Sequence, residues 1–142
     1  MKNKFKHGIA WDDKYKIGYE NVDLQHHQLF ELLSDLVTMC IDGSDTEKLK
    51  STIDFLVNYT VKHFADEEAV QIQWKYPEYI KHKQLHENFK TTMGGIVNQY
   101  TENGSSVELS NNVNTIVINW IIYHIQNEDK KIGDYIRKMG SE

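Results

Sequence analysis

Seven side chains in this 142-residue chain are of types, and at spacings, that suit metal binding. The densest stretch is His63 to His86, HFADEEAVQIQWKYPEYIKHKQLH, in which His63 and Glu67 stand four residues apart, as do His82 and His86. On a helix, residues i and i+4 lie one above the other on the same face, so each pair aims two ligand-capable groups at one spot. Imidazole and carboxylate together suit first-row transition metals such as iron. Pro77 fits badly inside a helix and well at the start of one, which predicts two helices with a break before it. Taken singly, such a pair is more often a surface feature, and a lone core histidine is more often simply hydrogen-bonded.

Four helices must position these groups. Residues 1–18 show no sustained period and read as an irregular arm, whose Trp11, Tyr15 and Ile17, with Tyr19 just beyond, can cover one end of a core. A helical stripe through Val22, His26, Leu29, Leu33, Leu36, Val37 and Cys40 predicts a helix over about 20–41, with Asn21 or Asp23 as its cap and Asp42-Gly43-Ser44 as its end. A second helix is expected over 46–74, with Asp45 as a possible cap, and a third over 77–101 with Gly94-Gly95 as a weak point. After the Asn103-Gly104-Ser105-Ser106 break, a fourth is expected over 107–138, with Val113, Val117, Trp120 and His124 on one face. The expected fold is all-α: one domain over residues 1–142, an up-down-up-down four-helix bundle preceded by the arm.

Each helix then places a candidate ligand on its core stripe: His26; His63 and Glu67; His82 and His86; His124 and Asp129. Five histidines and two carboxylates facing one core would be costly to desolvate without partners, and a shared cation removes that cost. Seven ligands exceed one octahedral site, so two metals are implied, and each carboxylate can bridge them. Asp129 follows His124 by five residues, about 140° round a regular helix. The two meet only if the helix loosens through a π-type turn, or ends, between 124 and 129. His7 and His27 fall outside the set and read as solvent-facing.

Composition narrows the remaining classes. Cys40 is the only cysteine, which excludes an internal disulfide and fits a reducing compartment. Net charge is −5 with the basic residues scattered, so no nucleic-acid footprint is expected. The N-terminus lacks the apolar core of a signal peptide, and IVINWIIYHI is too short and too interrupted to span a membrane. A cytoplasmic location is the expectation.

The chain resembles the hemerythrin-like proteins, specifically the bacterial single-domain kind. The likeness rests on W-x3-Y-x-I-G at Trp11 to Gly18, D-L-Q-H at Asp23 to His26 and H-F-A-D-E-E at His63 to Glu68. It continues in Y-P-E at Tyr76 to Glu78, H-x3-H-x2-F at His82 to Phe89 and W-x3-H-I-x3-D from Trp120 to Asp129. The resemblance implies a non-haem pair of irons. One would be held by His82, His86 and His124, the other by His26 and His63, with Glu67, Asp129 and an oxo or hydroxo group bridging. The second iron would keep an open position for dioxygen, or for azide and other small anions in vitro. Leu29, Phe64, Phe89, Trp120 and Ile125 would wall the dioxygen pocket. Gln71 stands where relatives usually carry methionine, and either faces an inter-helix boundary or reaches that pocket. Reversible dioxygen binding for carriage, storage or delivery is the implied function. The alternatives are an oxygen or redox sensor, or an enzyme acting on peroxide or nitric oxide.

Overall fold

A computed structural model of the protein describes residues 10–42 and 46–140. His7, the Gly43-Ser44 break and the Asp45 cap lie outside the described residues. Four long helical runs account for most of the rest, and no strand occurs among the described residues. They are α1 (Glu20–Asp42), α2 (Thr46–Gln73), α3 (Tyr79–Asn103) and a composite α4. In α4, Val107–Asn112, Val113–Ile118, Asn119–Tyr123, His124–Asp129 and Lys130–Gly140 follow without a break. The second and fourth of these pieces are π-helical and the others α-helical. Each helix packs on its sequence neighbours, and α4 closes back on α1. That ring is an up-down-up-down bundle.

The helix ends follow from local chemistry. At the end of α2, Lys75 takes a left-handed conformation (φ 55°). The Lys75 N–H then donates to Ile72 O (3.1 Å) and the Tyr76 N–H to Gln71 O (2.9 Å). This is a Schellman closure, with Pro77 placed just beyond it to block any continuation. Helix α3 starts two residues after that proline, at Tyr79. Ser106 caps α4, its hydroxyl accepting from the Leu109 N–H at 3.0 Å. Gly94 and Gly95 do not interrupt α3, and an added Cβ at either would meet nothing within 4 Å.

The arm is tied down rather than merely laid over the bundle. Tyr15 and Ile17 are buried, and Trp11 and Tyr19 pack against the core. Neither Asn21 nor Asp23 stands ahead of α1 as its cap. Instead Asp23 reaches back from the first turn, its carboxylate accepting from the N–H groups of Ile17 (2.8 Å) and Gly18 (3.2 Å). Gly18 has φ +95°, which L side chains rarely adopt. From the other end of the chain, Arg137 Nη1 donates to the Ile17 carbonyl at 2.7 Å. Gly133 lets α4 approach that carbonyl closely, since an added Cβ would collide with it. His27 is not simply solvent-facing. It is half-buried and stacks on Trp11, with ring centroids 5.2 Å apart.

The glycines therefore separate by position. Gly95→Ala should stabilise the fold by about 1 kcal/mol, because it only removes unfolded-state freedom from an open helical site. Gly133→Ala should destabilise it by about 1–3 kcal/mol, because the arm must shift. Urea unfolding of the two variants checks this, and effects of the same sign would contradict it.

Candidate metal centre

Helix α1 contributes His26, α2 His63 and Glu67, α3 His82 and His86, and α4 His124 and Asp129, and all seven are buried. In α2 and α3 the four-residue spacing alone stacks each pair on the inner face. In α4 it does not suffice. There the π segment spans His124–Asp129, and His124 Nε2 lies 3.0 Å from Asp129 Oδ1. The loosening that the five-residue spacing required is present at those residues.

The carboxylates divide their oxygens between two groups. Glu67 Oε1 lies 2.9 Å from His82 Nε2 and 3.1 Å from His86 Nε2. Its Oε2 lies 3.6 Å from both His26 Nε2 and His63 Nε2. Asp129 Oδ1 faces His82 at 3.0 Å, and Oδ2 faces His26 at 3.0 Å. The result is a five-residue group (Glu67, His82, His86, His124, Asp129) and a four-residue group (His26, His63, Glu67, Asp129). Within each group the ligand atoms lie within 4.8 Å of one another.

A cation fits this donor set. His26 Nε2, His86 Nε2, Glu67 Oε2 and Asp129 Oδ1 are buried with no hydrogen-bond partner among the described residues. The Nε2 atoms of His82 and His124 point at each other 3.0 Å apart. Lone pairs converging in this way are costly in a dry core and are satisfied by positive charge. Protons answer part of that demand. Burial by itself lowers the His26 imidazole, but Asp129 and Glu67 beside it bring it up to about 9. The same contest lifts His82 to about 10. His63 moves the other way, down to about 4, through burial and the charge on His26. Burial and the charge of Asp129 push the Glu67 carboxyl up, yet the close approach of His26, His82 and His86 holds it well below the usual range. Asp129 is held low in the same manner, against burial, by His124, His26 and His82.

Outside the ligand atoms, two residues set histidine tautomers. His86 Nδ1 donates to Glu68 Oε2 at 2.8 Å, and His63 Nδ1 donates to Gln25 Oε1 at 2.6 Å. Each bond keeps the proton on Nδ1 and leaves Nε2 bare toward the centre. Gln25 is oriented in turn, its Nε2 donating to Asp66 Oδ2 (2.9 Å), which also accepts from Lys62 Nζ (2.7 Å). The ring planes are braced too. Phe64 stacks on His86 at 3.8 Å, and Phe89 stacks on Trp120, which stacks on His124.

A small cavity beside the four-residue group has room for about one water-sized molecule. Its walls include Leu29, Phe64, Trp120 and Ile125. Phe89 and Gln71 do not line it. Phe89 stands one layer back, behind Trp120. Gln71 is buried but lies one turn beyond Glu67, whereas the α2 residues at the cavity (Thr60, His63, Phe64) all precede Glu67. Thr60 and Ile121 are wall residues that pattern reading missed. Gln25 and Glu68 were missed as well, although each adjoins a ligand in sequence, at His26 and Glu67.

Fold and centre together define a four-helix-bundle protein with a cluster able to hold metal ions. Residues 17–136 match the family model described as the hemerythrin HHE cation binding domain. A bacteriohemerythrin of Stenotrophomonas maltophilia is 26% identical over 129 residues, covering 91% of this chain and 82% of that protein. A myohemerythrin of Sipunculus nudus is 36% identical over 87 residues, covering 61% of this chain and 67% of that one. A solved structure of wild-type hemerythrin superposes with a TM-score of 0.77 at 20% identity, covering 89% of this chain and 95% of that chain. The chain belongs to the hemerythrin family.

Two measurements follow from the electrostatics and from the outer hydrogen bonds. Metal loading near neutral pH should displace about two protons, from His26 and His82, because both pKa values lie above 7. Apparent affinity should therefore rise steeply with pH, by up to about a hundredfold per unit, until the pH approaches 9. Calorimetry in buffers of different ionisation enthalpy counts the protons, and release near zero would contradict this. Glu68→Ala should weaken metal retention by about 10–100-fold, measured by competition with a chelator, while the bundle stays helical.

Proposed function

We propose that the two groups hold a pair of iron ions and that the protein binds dioxygen reversibly. His82, His86 and His124 would hold one ion with Glu67 Oε1 and Asp129 Oδ1. His26 and His63 would hold the other with Glu67 Oε2 and Asp129 Oδ2, both carboxylates bridging. A bound iron pair would supply the electrons that make dioxygen binding reversible.

One observation supports this reading: the apolar cavity meets His26, His63 and Asp129 of the group with fewer protein ligands, whereas of the other group's three histidines only His124 borders it. A small uncharged gas enters such a space without the desolvation cost that an ion incurs there. Leu29, Phe64, Trp120, Ile121 and Ile125 exclude water from it. Gln25 holds His63 with Nε2 facing inward, so that side of the centre keeps its geometry. No helix among the described residues is long and apolar enough to cross a membrane. With one buried cysteine, Cys40, the proposed location is the cytoplasm.

The protein should carry two irons per chain, and its visible spectrum should change reversibly through cycles of air and inert gas. One-way oxidation would favour a sensor, and turnover of added peroxide or nitric oxide an enzyme. Azide should bind beside His26 and His63, giving a visible band that His26→Ala alters strongly. Azide found in crystals beside His82, His86 and His124 would overturn the assignment of the open side.

A further inference from the structure

Outside the seven ligands, a buried polar site lies on the far side of Glu67 from the cavity. Gln71 is fully buried, and neither Oε1 nor Nε2 has a hydrogen-bond partner among the described residues. Three residues on, the Trp74 indole Nε1 is also buried and has no partner among the described residues. An amide with two unmet groups and an indole N–H with one are costly to bury dry, and are ordinarily met by internal water. Gln71 lies on the last turn of α2 and Trp74 just past its end, where the Schellman closure and the Tyr135 hydroxyl, bonded to the Trp74 and Lys75 carbonyls, fix the backbone.

The site lies between the centre and the surface. Inward, Gln71 follows Glu67 by one helical turn on the same buried face. Outward stands Tyr76, buried, with its ring against Tyr135 at 5.4 Å. Its hydroxyl is pushed up to about 12 by burial and by Glu78, Glu128, Asp129 and Glu67, so it feels the carboxylates of the centre. Beyond it a surface depression is walled by Tyr76, Glu78, Lys131, Asp134 and Tyr135, among others.

We propose that Gln71 and Trp74 hold an internal water between them, and that this hydrated site is the route by which solvent reaches the metal centre. The centre then has a dry face, the cavity at Leu29, Phe64, Trp120 and Ile125, and a wet face at Gln71. Gas uses the first and water the second. Gln71 can serve this purpose because its amide both donates to and accepts from water. The site's hydration stands independently of the ligand; its effect on bound dioxygen rests on the function proposed above.

The test uses iron-loaded protein and the variants Gln71→Met and Trp74→Phe. Methionine is similar in length and apolar, so it removes the amide with little change in volume. A high-resolution crystal structure of the oxidised protein should show water within hydrogen-bond distance of Gln71 and Trp74 Nε1, absent from Gln71→Met. Exchange of the Trp74 indole proton into heavy water should slow at least tenfold in Gln71→Met, read by nitrogen-15 NMR. Neither measurement involves dioxygen, so a failure of the dioxygen reading leaves them intact. A direct bond from the Gln71 amide to another side chain, or unchanged indole exchange, would overturn the hydration site. Spontaneous loss of the dioxygen-bound spectrum should slow several-fold in Gln71→Met and in Trp74→Phe, and remain unchanged in exposed Gln73→Met. Equal loss rates in a protein whose water has been removed would overturn the route.

Discussion

The rest of the structure depends on one electrostatic constraint. Two carboxylates, Glu67 and Asp129, are buried within one core, where each disfavours the charge of the other. Such a pair is tolerable only if positive charge is shared between them, and the five histidines surround the place where that charge must sit. Splitting each carboxylate's two oxygens between the two groups spreads that demand over both. The bundle is the simplest scaffold for this, because four antiparallel helices let four faces meet at one level. The aromatic stacks and the Gln25 and Glu68 bonds then hold each ring in the orientation that the shared charge requires.

Polar and apolar matter are segregated along the bundle with this centre as the boundary. Past His63 and His124, away from the arm, Leu33, Leu36, Leu56, Val113 and Val117 make an ordinary aliphatic core. On the other side come Gln71, Trp74 and Tyr76, then the arm locked by Asp23 and Arg137. A small ligand arriving at the centre therefore meets different surroundings on its two sides, although the helices themselves are continuous.

Much of this was legible in the sequence because helical periodicity and ligand spacing are the same geometry. His63 with Glu67 and His82 with His86 needed only the four-residue rule. The misfit of His124 and Asp129 to that rule pointed to a π-type turn or a helix end, and the structure contains the π turn. The other π segment, Val113–Ile118, left no such trace, because no pair of ligands in it marks the phase. Gln71 was harder for a related reason. Its face follows from its register with Glu67, but whether it sits above or below the cavity depends on where the other helices cross. Gln25 and Glu68 sit beside ligands in sequence, and only the three-dimensional pairing of α1 with α2, and of α2 with α3, shows which histidine each one serves.

The π turn also has a reach beyond the residues that form it. A helix is a rotary register, in which every residue after an irregularity inherits its angular offset. The extra backbone accommodated between His124 and Asp129 therefore orients not only Asp129 but the whole final segment, Lys130–Gly140. On that segment, Ile132 faces the core, Gly133 touches the Ile17 carbonyl and Arg137 binds it. One local irregularity thus indexes two distant assemblies, the carboxylate at the centre and the latch on the arm. A change of helical phase there would disengage both together.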